Sequence, residues 1–305
     1  FTPLGAAAAA EAASRGGTPL PPRQSRASDG KMPAGAEVVL RPPARRRRLQ
    51  SGGTTTTAAL LHVSSGSLTL ERVQLRDTAA GEHAVLVDGG SLLLRESTFS
   101  ANLGPSALHV AGGEVTVEDG AFTENAGSAV TVSSGSFAAS GSSFSRNGGA
   151  ALHVTAGSVA LGNATLLLDN GELHGGTSIQ VDGGSVRYEL PAPLGRWALA
   201  TDGVAMLTAG RHDGAFPYAC IPGVVGNSLD HDAQSGPGCA AACPAGSYCP
   251  SLSVTPTPCP PGAFCPVGSG SFLSCPAGKT TIHGGMTSAT DCICDVGHYG
   301  TTNGT

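Results

Sequence analysis

A phrase of strand, turn and strand recurs six times between residues 61 and 188, and no other feature restricts the fold of this chain as strongly. The copies read LHVSSGSLTL (61–70), VLVDGGSLLL (85–94), LHVAGGEVTV (108–117), VTVSSGSFAA (130–139), LHVTAGSVAL (152–161) and IQVDGGSVRY (179–188). Their turn glycines, Gly66, Gly90, Gly113, Gly135, Gly157 and Gly184, stand 24, 23, 22, 22 and 27 residues apart. A second phrase keeps the same register: Phe99, Phe122 and Phe144 precede Asn102, Asn125 and Asn147 by three residues. Leu167 and Asn170 form a degenerate fourth copy.

A period near 23 with three short strands predicts an all-β fold, a right-handed parallel β-helix of about six coils over residues 54–190. The period is too short for a four-stranded propeller blade or a helix pair. Each coil points alternate apolar residues inward, such as Val63, Leu68 and Leu70 in the first, and only stacking gives them a shared core. At ~4.8 Å per coil, six coils span roughly 29 Å. With glycine at 45 of 305 residues, charged residues at 13% and aromatics at 4%, a helical bundle is excluded.

Stacking in register also predicts columns of charge. Glu71, Arg95 and Glu118 follow the turn glycine by five residues, and Arg72, Glu96 and Asp119 by six. Glu124, Arg146 and Asp169 precede the asparagines. Opposite charges then face one another across neighbouring coils, except where Glu96 meets Asp119. The asparagine column is expected to serve structure: Asn tolerates a left-handed turn, and stacked amides bond along the column.

The flanks differ in character. Residues 1–53 combine an alanine run, seven prolines and Arg45, Arg46, Arg47 and Arg48. They lack apolar periodicity, so disorder is expected there, with a short strand near Glu37–Leu40. Up to Arg48 the net charge is +6, and beyond it −11. An acidic folded part argues against nucleic acid as a partner. Residues 189–210, with Trp197, read as a cap over the open end of the solenoid, and residues 211–238 as an irregular linker.

The nine cysteines, Cys220, Cys239, Cys243, Cys249, Cys259, Cys265, Cys275, Cys292 and Cys294, all lie in the last third of the chain. Cys243-Pro-Ala-Gly-Ser-Tyr-Cys249-Pro and Cys259-Pro-Pro-Gly-Ala-Phe-Cys265-Pro stand 16 residues apart, and Cys275-Pro-Ala-Gly opens a third copy. So few apolar residues cannot form a core, which makes residues 239–305 a disulfide-rich module and implies an oxidising compartment. Zinc is the rival, but only Cys239 and Cys243 have the short ligand spacing it favours. Nine is odd, so one cysteine lacks a partner, and that partner is expected beyond residue 305.

The FxxN phrases, with Gly148-Gly149-Ala150-Ala151 after one of them, resemble the FxxN/GGA repeats of chlamydial polymorphic outer-membrane proteins, which belong with the pectin-lyase-like right-handed β-helices. The Cys-Pro-x-Gly-x-Tyr/Phe-Cys-Pro units resemble the ephrin-receptor-like cysteine-rich modules of large extracellular proteins in algae and other protists. Together these resemblances imply a secreted or cell-surface role, adhesive or receptor-like, with glycans or extracellular proteins as partners and membrane contact only through segments outside this chain.

A catalytic reading follows from the fold, because β-helices that cleave polysaccharides use clustered carboxylates. The nearest cluster here is Glu118, Asp119 and Glu96 beside Arg72 and Arg95, which reads as a solvated charge ladder. His62, His109 and His153 share one outward strand position on alternate coils, ~9.6 Å apart and too distant to share a metal ion. No catalytic residue, metal or cofactor is therefore expected. Asn163-Ala-Thr165 and Asn303-Gly-Thr305 match the N-glycosylation pattern, and Arg45–Arg48 matches a furin-type processing site, an anionic-polysaccharide or nuclear-localisation patch, or a plain charged linker.

Overall fold

The computed structural model describes residues 38–40, 58–162, 164–172 and 175–298. Arg45–Arg48, Asn163, Asn303 and the rest of residues 1–57 lie outside the described residues, apart from the strand Val38–Leu40.

The repeat folds into three parallel sheets wound as a β-helix of about six coils. The first sheet stacks Ala58–Val63, Glu82–Val87, Ser106–Val110, Ser128–Val132, Leu152–Val154 and Thr177–Val181. The second stacks Ser67–Glu71, Ser91–Arg95, Glu114–Glu118, Ser136–Ser140, Ser158–Gly162 and Ser185–Glu189. The third stacks Gln74–Arg76, Thr98–Ser100, Ala121–Thr123, Ser143–Ser145 and Leu166–Leu168. Equivalent residues meet across coils: Leu68 pairs with Leu92 and that residue with Val115, while Phe99 pairs with Phe122 and that residue with Phe144.

Period-2 alternation sends one set of side chains inward. Val85, Val87, Leu92, Leu94, Leu108, Val110, Val115 and Val117 are all buried in one continuous core. The three phenylalanines are fully buried and stack nearly flat, with ring centres 4.4 and 4.9 Å apart and planes within 10°. One coil alone would leave these rings in water, so the stack forms only with its neighbours.

At the corners the chain turns through left-handed conformations, and space decides which residue each corner accepts. Gly113, at φ 71°, has no alternative, because a Cβ there would collide with the Gly90 carbonyl oxygen on the coil below. At the other corners Arg72, Glu96, Asp119, Glu124, Arg146 and Asp169 adopt φ between 46 and 56° and project outward. This corrects one expectation: the left-handed residue is the one before each asparagine, so the asparagine side chain is free to turn inward.

Inside, the asparagines bond in series. Nδ2 of Asn102 donates to Oδ1 of Asn125 at 2.8 Å, Asn125 to Asn147 at 2.7 Å, and Asn147 to Asn170 at 2.8 Å. Each amide also donates to a carbonyl one coil below, as Asn125 does to Phe99 at 3.2 Å. Thr78 occupies the same position on the first coil; its backbone N–H donates to Oδ1 of Asn102, but its buried hydroxyl has no partner. Thr78→Asn should extend the ladder by one rung and raise stability by about 1 kcal/mol, read as a higher urea midpoint. A lowered midpoint would mean that the site cannot hold an amide.

The charge columns pair largely as expected. Arg95 meets Glu118 at 2.7 Å, Arg146 meets Glu124 at 2.8 Å and Arg72 meets Glu96 at 3.8 Å, all across adjacent coils. Glu71 instead takes Arg72 of its own coil at 2.6 Å. These groups are exposed, so each pair contributes under about 1 kcal/mol and serves register more than stability.

All three sheets end in antiparallel pairing at the C-terminal end. Val204–Leu207 pairs with Ser185–Glu189, Gly210–Asp213 with Thr177–Val181, and Phe216 exchanges two backbone hydrogen bonds with Leu167. Val38–Leu40 pairs antiparallel with Ala58–Val63 at the other end of the first sheet. These four sheet ends are thus covered where a free edge would recruit another strand. Residues 210–219, at the start of the segment read as an irregular linker, therefore include strand that completes the cap. The Trp197 indole N–H donates to the Ala219 carbonyl at 3.1 Å and its ring leans on Tyr218, which makes it a cap residue. Gln234 clamps the same region, accepting from the Ala192 N–H and donating to its carbonyl, both at 2.7 Å.

The C-terminal region is held by four disulfides: Cys220–Cys239, Cys243–Cys249, Cys259–Cys265 and Cys275–Cys292. The two complete copies each close on themselves. In the third, Thr281 stands where the second cysteine would be, and Cys275 crosses to Cys292 instead. Thr281 is buried, accepts from the Gly262 N–H and donates to the Ala263 carbonyl, so its hydroxyl ties this loop to the preceding copy. Cys294 is the unpaired cysteine and is exposed.

Candidate functional site

The outer faces of the first and second sheets carry the polar chemistry of the solenoid. Along the first sheet, His62, Leu86, His109, Thr131, His153 and Gln180 form one column in register. The three histidines do occupy alternate coils, and each reaches the residue just after the strand of the next coil. Nε2 of His62 meets Asp88 at 2.8 Å, that of His109 meets Ser133 at 2.9 Å, and that of His153 meets Asp182 at 2.8 Å. The Gln180 amide, then His153, hold the Asp182 carboxyl below the ordinary range of an aspartate. A shallow cavity of about 280 Å³ beside this pair is lined by Ser128, Ala150, His153, Thr177, Gln180 and Asp182.

His83 is a residue the sequence reading passed over. It shares no column with the other histidines, yet its ring centre lies 4.8 Å from that of His109, with the planes tilted by 50°. His109 pairs in register with Leu86, three residues beyond His83 on the neighbouring coil. Burial lowers the pKa of each, and for His109 the nearby His83 adds to the effect, so both are neutral near pH 7.

On the second sheet the outward column Ser91, Glu114, Ser136, Ser158 and Ser185 runs beside Thr116, Ala138, Ala160 and Arg187. Short side chains leave a trough of about 300 Å³, whose lining includes Ser136, Ser158, Ser185, Arg187 and Met206. Arg187 is paired with Glu189 at 3.0 Å. Compared with known protein families, curated proteins and solved structures, the chain has no match.

The carboxylates singled out for hydrolysis lie elsewhere. Glu96, Glu118 and Asp119 sit at the far corner of the second sheet, the first two facing arginines of adjacent coils. The Asn and Phe columns lie wholly inside, so Asn102, Asn125, Asn147, Asn170, Phe99, Phe122 and Phe144 offer nothing to a ligand. Thr165, the third residue of the Asn163 sequon, is also buried, donating to the carbonyls of Gly162 and Ala139. Cys239 and Cys243, the one pair with zinc-like spacing, are each bound to another cysteine. No helix among the described residues is long and apolar enough to cross a membrane.

Proposed function

We propose that this chain is a non-enzymatic extracellular or cell-surface module, structural or adhesive, and part of a larger ectodomain that contacts glycans or other proteins through the solenoid faces. We read the solenoid as a pectin-lyase-like right-handed β-helix and the cysteine-rich region as ephrin-receptor-like, on the phrases and spacings given above. The observation that carries the reading is the trough on the second sheet. It repeats the same short hydroxyl side chain from coil to coil, which suits an extended, repeating ligand. Four disulfides fit an oxidising compartment such as the cell exterior.

The rival is a carbohydrate-active enzyme on the same scaffold. Incubation with acidic polysaccharides and calcium separates the two. The expected result is retention of polysaccharide with no unsaturated or reducing-end product, lost in a Ser136→Leu/Ser158→Leu variant that fills the trough without changing its charge. Product release would overturn the proposal in favour of the enzyme.

A further inference from the structure

His83 and His109 form a pair that neither the coil repeat nor the proposed role uses, and their hydrogen bonds determine which ring nitrogens are bare. The Ser133 hydroxyl donates to the Val110 carbonyl at 3.4 Å. With its one proton placed there, it accepts from Nε2–H of His109 at 2.9 Å. Nδ1 of His109 is then an unprotonated acceptor, and it is buried without a hydrogen-bond partner. A buried polar atom left in this state has lost its water and gained nothing in exchange. On the neighbouring coil, Nδ1 of His83 lies 3.1 Å from the Ser106 carbonyl, which can only accept, and 2.8 Å from the Ser106 hydroxyl, so its proton is placed on Nδ1. Nε2 of His83 is left with its lone pair.

We propose that His83 and His109 bind a divalent transition-metal ion, Cu²⁺ in preference to others, with solvent completing the coordination. Each imidazole has one nitrogen anchored by an N–H bond to protein and the other bare, which is the arrangement metal-ligating histidines adopt. The separation also fits. With metal–nitrogen bonds of about 2.0–2.1 Å, each ring centre stands about 3.2 Å from the ion. With both bare nitrogens turned to the ion, ring centres 4.8 Å apart would subtend roughly 100° at it, between the tetragonal and tetrahedral angles. Among the described residues no group of three His, Cys, Asp or Glu is placed to hold a metal. A closed structural zinc site is therefore not the match. Two imidazoles and open positions suit Cu²⁺, which also stands highest in the order of divalent affinities.

The test titrates the full chain, carrying Cys294→Ser to remove the exposed thiol, with Cu²⁺ alone, followed by calorimetry and electron paramagnetic resonance. One ion should bind with splitting from two nitrogens. His83→Ala and His109→Ala should each weaken it by roughly tenfold or more, and Ser133→Ala, which leaves both ligands in place, by roughly tenfold. His62→Ala and His153→Ala, whose imidazoles meet Asp88 and Asp182, should leave it unchanged. Unaltered affinity in the His83→Ala/His109→Ala double variant, or in Ser133→Ala, overturns the proposal. So does loss of binding in His62→Ala or His153→Ala.

Discussion

Asn125→Ala is expected to destabilise the solenoid by about 4 kcal/mol, because four hydrogen bonds end on this one buried amide. Its Oδ1 accepts from the backbone N–H and the side chain of Asn102, at 3.2 and 2.8 Å. Its Nδ2 donates to the Phe99 carbonyl at 3.2 Å and to Oδ1 of Asn147 at 2.7 Å. Alanine leaves those partners in a dry core, and each unsatisfied group costs about 1–3 kcal/mol. Asn125 is almost fully buried, so bulk water does not reach these bonds. Urea denaturation followed by circular dichroism measures the loss. A change below about 1 kcal/mol would show that the ladder is dispensable or that water replaces it.

The second large effect concerns the cysteine-rich region. Full reduction should unfold residues 220–298 while the parallel sheets persist. Apolar burial there is slight, limited to clusters around Val225, Cys243 and Cys249 and around Cys259, Ala263 and Cys265. The cross-links themselves therefore fill the place of a core. On loop-closure entropy, Cys220–Cys239, spanning 19 residues, contributes about 3 kcal/mol, and each bridge spanning six residues about 2. Limited proteolysis after reduction should leave a resistant fragment ending near residue 219. Before reduction a single thiol, Cys294, should titrate. Unchanged protease resistance after complete reduction would show that packing, and not cross-linking, holds the region.

Much of this architecture was readable because a solenoid's long-range contacts repeat at a fixed sequence interval. Gly66 to Gly184 marked one corner, Phe99 to Phe144 marked the core, and the alternation of arginine with glutamate marked the stacking. Each signal recurs at the coil period, so residues 22 to 24 apart identify one another as neighbours. The end cap was legible only as a change of pattern. Its antiparallel strands at Val204–Leu207 and Gly210–Asp213 pair with single coils and repeat nowhere, so no period announces them.

What the sequence determined by itself was the sheet register, the buried columns and the confinement of cross-links to the C-terminal region. The tertiary structure decided three further things. It placed the left-handed turn on the residue before each asparagine, because the amide is held inside by its neighbours and the residue before it, Ala101, Glu124, Arg146 or Asp169, is exposed. It paired the cysteines, which spacing alone left open, by bringing Cys275 across to Cys292 where Thr281 stands in the second cysteine's place. And it brought His83 against His109, three residues out of register on the neighbouring coil, a meeting that the repeat does not encode.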